Sequence, residues 1–180
     1  GQILYGTVSD SIGRKPPIYA GLVIYALGGL VCIFSETLFF MLCGRFLQGI
    51  GIASPRIVMN AVIRDRYKGP EMARVMSFVM AVFILVPVIA PSIGQVILIF
   101  FNWEAIFWMF LITALLVCIW FSTRLDETLL PESRQPLSFR KIRNGMIEVL
   151  KTRTALGYTL ATGFLFSPFV GYLSSSQQIF

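Results

Sequence analysis

Two stretches of the sequence place charge and small residues inside an otherwise apolar chain. The first is GTVSDSIGRKPP, where Gly6, Asp10, Gly13, Arg14 and Lys15 stand directly before a long apolar run. Asp10 precedes Arg14 by one helical turn, so the two can pair or compete for other partners. Gly13 permits a sharp turn where a side chain would obstruct, and Gly6 permits close approach of another helix. The second stretch is GRFLQGIGIASPRIVMNAVIRD. Projected from Arg45 at about 100° per residue, Gln48, Gly49, Ile52 and Arg56 fall within about 60° of one line, with Asn60 at its margin. The chemistry such groups can do is the exchange of ion pairs and hydrogen bonds. Metal, haem and zinc chemistry find no support, and no cofactor is expected. The chain has no His, and Cys32, Cys43 and Cys118 each sit alone in an apolar run as small hydrophobes.

A third stretch, LVPVIAPSIGQVI, sets Pro87 and Pro91 one turn apart with Gly94 on the same face. Each proline removes a helix hydrogen bond and opens the preceding turn. The freed carbonyls then need packed neighbours or water. Small Ala90, Ser92 and Gly94 admit a close neighbour. A packing kink and a functional hinge are both open readings. Further on, Phe164, Phe166, Phe169 and Tyr172 either line an apolar substrate cavity or face lipid.

The elements that position these residues follow from composition. Of 180 residues, 56% are hydrophobic and 13% charged, against roughly 25% charged in soluble domains. Five apolar segments stand out: 16–35, 37–63, 75–103, 105–123 and 154 to about 177. Each reaches the ~20 residues that cross a hydrocarbon core as a helix. In lipid every backbone polar group must be paired internally, so these segments are read as helices. Residues 1–5 read as the tail of a further span. The expected fold is an all-α, multi-pass transmembrane helix bundle.

The connections alternate in charge. Arg14 and Lys15 precede the first span, and Arg64, Arg66, Lys68 and Arg74 follow the second in RDRYKGPEMAR. Arg124, Arg134, Arg140, Lys141, Arg143, Lys151 and Arg153 follow the fourth. The intervening connections carry no base. By the positive-inside rule the basic side is cytoplasmic. The net charge of +6 is thus a topology signal, and no aromatic-interleaved basic face suggests nucleic acid. PLSFRKIRNGMIEVLKT reads as an amphipathic helix capped by Ser138. Phe139, Ile142, Met146, Val149 and Leu150 share one face, with Arg140, Lys141 and Arg143 beside it, so it should lie on the inner leaflet. It is either a linker or a coupling element.

Arg45 lies roughly 10 Å inside its helix. A charge there costs at least ~2.5 kcal/mol and marks a functional site by default. A structural ion pair is the competing reading, and for Arg56 it is snorkelling to the interface. The stripe through Arg45, Gln48, Arg56 and Asn60 should face the interior of a bundle or a water-filled cavity.

The first stretch resembles a cytoplasmic signature of the major facilitator superfamily, Gly-x-x-x-Asp-Arg-x-Gly-Arg-Lys, through Gly6, Asp10, Gly13, Arg14 and Lys15. Ser11 stands where a base is usual, leaving Asp10 dependent on Arg14 and on bases of the next cytoplasmic loop. The second stretch is similar to the fourth-helix signature Arg-x-x-Gln-Gly-x-Gly-Ala-Ala through Arg45, Gln48, Gly49, Gly51 and Ala53. The third resembles the fifth-helix signature of drug/proton antiporters, Gly-Pro-x-x-Gly-Gly, through Pro91 and Gly94. With NWEAIFW, RDRY and RLDETLLPESR, the likeness extends to the Bcr/CflA-type multidrug efflux group.

That resemblance implies a partial superfamily fold running from the end of helix 2 to helix 7. Residues 1–123 fall in the N-terminal half, 124–153 in the central cytoplasmic loop, and 154–180 in the first helix of the C-terminal half. It implies no enzyme but a proton-coupled exporter of small drug-like compounds, working by alternating access in a bacterial inner membrane. A metabolite exporter or importer of the same fold is the alternative. Arg45 and Gln48 become candidates for proton coupling, with an acidic counterpart on a first helix. Gly6, Asp10, Gly13, Arg14 and Lys15 become the cytoplasmic gate, and Pro87, Pro91 and Gly94 the antiporter-type packing face. Arg56, Asn60, Phe166 and Phe169 become cavity lining. The partners are substrate, protons and membrane lipid, with no nucleic acid, and the protein is expected to be monomeric. The first and last residues suggest a piece of a longer chain, in which the gate's counterpart lies elsewhere.

Overall fold

The computed structural model describes residues 2–129, 132 and 134–179. The side chains of Phe139, Arg140, Lys141, Met146, Phe169 and Tyr172, named above, lie outside the described residues. All regular structure among the described residues is helical: α1 (Gln2–Ile12), α2 (Lys15–Ile33), α3 (Leu38–Arg66), α4 (Gly69–Phe100), α5 (Glu104–Arg124), α6 (Phe139–Lys151) and α7 (Arg153–Ile179). Helices α2, α3, α4 and α5 are long and apolar enough to cross a membrane. The fold is an all-helical transmembrane bundle.

The helix ends follow local chemistry. α2 starts on Pro16 and Pro17, whose fixed φ suits a first turn. α3 starts at Thr37, whose side chain accepts the Phe40 N–H at 3.5 Å. Arg64 and Arg66 sit in the last turn of α3, and Glu71 in the first turn of α4, each opposite in sign to the local helix dipole. The basic connection RDRYKGPEMAR is mostly helical: only Tyr67 and Lys68 separate α3 from α4. The reason is length. At ~1.5 Å per residue both helices outrun a ~30 Å hydrocarbon core, so their charged ends continue as helix beyond it.

The chain forms two compact units, 1–137 and 138–180. In the first, α2 packs against α3 along a seam of glycines. A Cβ on Gly21 would lie 2.7 Å from the Gly51 carbonyl oxygen, and one on Gly28 would lie 2.7 Å from that of Gly44. The pairs repeat at seven-residue spacing on both helices, so the backbones touch for two turns, as small residues allow in membrane bundles. Ser54, fully buried, donates to the Pro17 carbonyl at 2.5 Å across this seam. An apolar cluster of Ile18, Leu22, Val58 and Val62 closes it, with Val117, Cys118 and Phe121 of α5 packed on its side. α4 buries none of its residues. In the second unit, α6 passes into α7 at Thr152, whose N–H donates to the Glu148 carbonyl at 2.9 Å.

Candidate functional site

The first motif becomes a clamp at the basic end of the first unit. Gly13 adopts φ +110°, a region where an L side chain is strained. That turn joins α1 to α2 and directs Arg14 inward, leaving the residue 5% exposed. Its guanidinium Nη1 donates to Asp10 Oδ1 at 2.5 Å and to Ser9 Oγ at 2.9 Å. Its Nε and Nη2 donate to the two oxygens of Asp65, on α3, at 2.9 and 3.4 Å. One buried cation thus faces two carboxylates, one of them in the fork geometry that suits guanidinium. Burial alone works against the charged form, but the bonds to Asp65 and Asp10 outweigh it and hold the Arg14 pKa above its usual value.

The segment after α5 folds back onto this clamp. Glu127 Oε1 accepts the Arg14 N–H at 2.8 Å and that of Leu129 at 3.1 Å, while its Oε2 accepts the Lys15 N–H at 3.1 Å. Burial pushes the Glu127 carboxyl up. The N–H bonds from Arg14, Leu129 and Lys15, with the charge of Arg134, prevail and hold it below the usual carboxylate range. Thr128 Oγ1 donates to Asp65 Oδ2 at 3.2 Å, and the Gln135 N–H to the Asp10 carbonyl at 2.9 Å. Arg66 and Asp126 approach to 3.8 Å, both well exposed, a pairing of little weight.

The stripe on α3 divides. Arg45 Nη1 donates to Gln48 Oε1 at 3.3 Å, and the guanidinium carbon lies 5.2 Å from the centre of the Phe107 ring on α5. Gln48 is 4% exposed and packs against Gly28 and Gly29 of α2. Its Nε2 is buried without a hydrogen-bond partner among the described residues, as is Glu104 Oε2. Arg45, Gly49, Ile52 and Arg56 lie on the exposed side, with Asn60 half-buried. The Arg56 guanidinium carbon stands 4.9 Å from the centre of the Phe83 ring on α4, a cation–π contact.

Residues 1–180 match the Major Facilitator Superfamily along their whole length. The chain belongs to this superfamily. It is 32% identical over 182 residues to an uncharacterized MFS-type transporter, YdgK, of Bacillus subtilis, covering 100% of this chain and 45% of that protein. It is 32% identical over 180 residues to a bicyclomycin resistance protein homolog of Haemophilus influenzae, covering 100% of this chain and 45% of that protein. It is 33% identical over 127 residues to the multidrug resistance protein MdtL of Shigella dysenteriae, covering 71% of this chain and 32% of that protein. The chain therefore spans less than half the length of these relatives. Two of these three relatives are named for drug resistance, and the third as an MFS-type transporter.

Within this superfamily chain, Asp10, Gly13, Arg14 and Lys15 of the first motif meet at one turn. Gly6 stands apart on α1, where a Cβ would be 3.6 Å from Ile57. Arg45 and Gln48 touch. Pro87, Pro91 and Gly94 share one continuous helix, and a Cβ on Gly94 would meet nothing within 4 Å. Phe166 is an exposed residue of α7 in the second unit. Sequence reasoning missed Asp65, Ser9 and Glu127 as partners of Arg14, and Thr128 as a partner of Asp65. It looked for bases in the loop after α3, and the group that arrives from there is the acid Asp65. RDRY and RLDET contain the residues, but their bearing on position 14 needs the fold.

Proposed function

We propose that the full protein is a secondary transporter of a bacterial inner membrane that exports small drug-like compounds in exchange for protons, by alternating access. The observation that carries this reading is Arg14, buried at the basic end and tying α1 and α3 together through breakable polar bonds. A static anchor gains nothing from such a device. A transporter needs contacts that hold one conformation and can be exchanged in another. The basic end is the cytoplasmic one. Asp10 and Arg14, with Gly6, Gly13 and Lys15, form the gate. Arg45 and Gln48 serve coupling, Arg45 balancing an acid contributed from outside this chain. Pro87, Pro91 and Gly94 present a packing face that controls opening. Arg56 and Asn60, with Phe166 and Phe169, line the path of the substrate. The protein acts as a monomer in lipid and carries out no covalent chemistry.

The test uses the full-length protein in inside-out vesicles with an acid lumen, and bicyclomycin or ethidium as the transported compound. Gradient-dependent accumulation is expected, with loss in Arg45→Ala. Accumulation that ignores the gradient refutes proton coupling. An unchanged Arg45→Ala refutes the role of Arg45. Failure to move either compound refutes the drug-export reading.

A further inference from the structure

The first turn of α2 has an unusual donor inventory. A helix start leaves four backbone N–H groups without intrahelical acceptors. Here two of the early residues are Pro16 and Pro17, which have no N–H. The N-terminal residue Arg14 makes no side-chain cap bond, being turned inward toward its acids. The N–H groups of Arg14 and Lys15 are thus left at the turn that aims the gate arginine. Both are taken by one carboxylate, Glu127, delivered from beyond the end of α5.

Two further features fit Glu127 to this place. A Cβ on Gly13 would sit 2.7 Å from Glu127 Oε2 and 3.1 Å from its Cδ. Gly13 therefore serves twice: its φ makes the turn, and its missing side chain leaves room for the carboxylate. The next residue, Thr128, bonds Asp65, the acid that Arg14 engages. The dipeptide 127–128 holds both sides of the ion pair, one through the backbone at Arg14 and the other through a hydroxyl.

We infer that Glu127 is a positioning residue of the gate. It fixes the Gly13–Lys15 backbone so that the Arg14 guanidinium meets Asp10, Ser9 and Asp65, and it ties the exit of α5 to the turn between α1 and α2. Movement of α5 during the transport cycle then reaches the gate directly. This inference rests on the gate reading of Arg14.

The experiment is carried out on the full-length transporter with Glu127→Ala, Glu127→Gln and Glu127→Asp, beside Arg14→Gln as the reference for the gate. Hydrogen exchange across residues 11–18 in lipid nanodiscs reads the turn. Gradient-driven ethidium transport in vesicles reads kcat and KM separately. Two charge-assisted hydrogen bonds at the turn are lost in Glu127→Ala, so its exchange should speed up about tenfold or more. We expect kcat to fall by a similar factor, with KM within about twofold of the wild type. Glu127→Gln should lie between, because an amide oxygen still accepts while its NH2 group faces a donor. Glu127→Asp should recover part of the loss. Should Glu127→Ala fail to fold, Gln and Asp carry the same comparison. Unchanged exchange, or faster exchange with unchanged kcat, overturns the inference while leaving the gate intact if Arg14→Gln is impaired. Full turnover in Arg14→Gln overturns the gate reading, and the positioning role with it.

Discussion

Replacing Gly51 by alanine tests whether the α2–α3 seam is as tight as its geometry implies. The new Cβ would clash with the Tyr25 nitrogen and lie 2.6 Å from the Gly21 carbonyl oxygen and 2.8 Å from the Tyr25 Cα. All three are backbone atoms, so no side chain can swing aside. Carbon contacts settle near 3.5–4.0 Å, and the helices must part by about 1 Å to relieve the clash. Parting them stretches the Ser54 to Pro17 hydrogen bond from 2.5 Å toward the limit of such bonds. Overpacking costs ~1–3 kcal/mol, and the weakened bond up to ~1 more. Alanine's helix preference returns ~0.5–1. The net is a loss of about 2 kcal/mol, or roughly thirtyfold in the folded-to-unfolded ratio. Gly49→Ala is the matched comparison, since a Cβ there meets nothing within 4 Å, and it should be neutral or slightly stabilising. The assay is unfolding of the purified chain in mixed micelles, followed by tryptophan fluorescence. Equal stability of the two variants would refute the claim that backbone contact holds this seam.

Three smaller outcomes follow from the same structure. Ser54→Ala deletes a buried hydroxyl bond and should cost ~1 kcal/mol in the same unfolding assay, less than Gly51→Ala. Phe107→Leu removes the ring beside the Arg45 guanidinium; a cation–π contact is worth ~0.5–2 kcal/mol, so gradient-driven transport should fall by about two- to thirtyfold, while Phe39→Leu, at an exposed position near the start of α3, should leave it unchanged. The Glu127 carboxyl is held below the usual carboxylate range by the N–H groups it accepts, so its contribution to stability is present above that range and is lost as pH falls through the lower, folded pKa. Protection of the Arg14 and Lys15 amides, corrected for intrinsic exchange, should therefore be flat from about pH 5.5 to 8 and collapse only below the ordinary carboxylate range; a midpoint near neutrality would contradict the bonding at Glu127.

What was legible in the sequence was what lipid enforces. An apolar run of twenty residues has one solution in a bilayer, so the helices could be read directly; the largest shift in an end is at α4, which starts at Gly69 because the charged turn before residue 75 continues as helix. The pairing of Asp10 with Arg14 was legible because it is four residues long. The bonds from Arg14 to Asp65 and Glu127 join positions 51 and 113 apart, and no local period reports such distances. The glycines of the α3 motif sharpen the point. Gly49 and Gly51 lie two residues apart, roughly 200° around a helix, so they cannot serve the same neighbour. The structure turns Gly51 into the α2 backbone and leaves Gly49 open. The relevant pattern was the other one, Gly21 with Gly28 and Gly44 with Gly51, each pair seven residues apart. Seven residues return to nearly the same helix face, so these glycines alone could build a continuous contact. The division also explains why the polar stripe is split. Once Gly44 and Gly51 commit one face of α3 to α2, Gln48, midway between them, is drawn into the interface, while Arg45 and Arg56 remain on the exposed face, each beside an aromatic ring of a neighbouring helix.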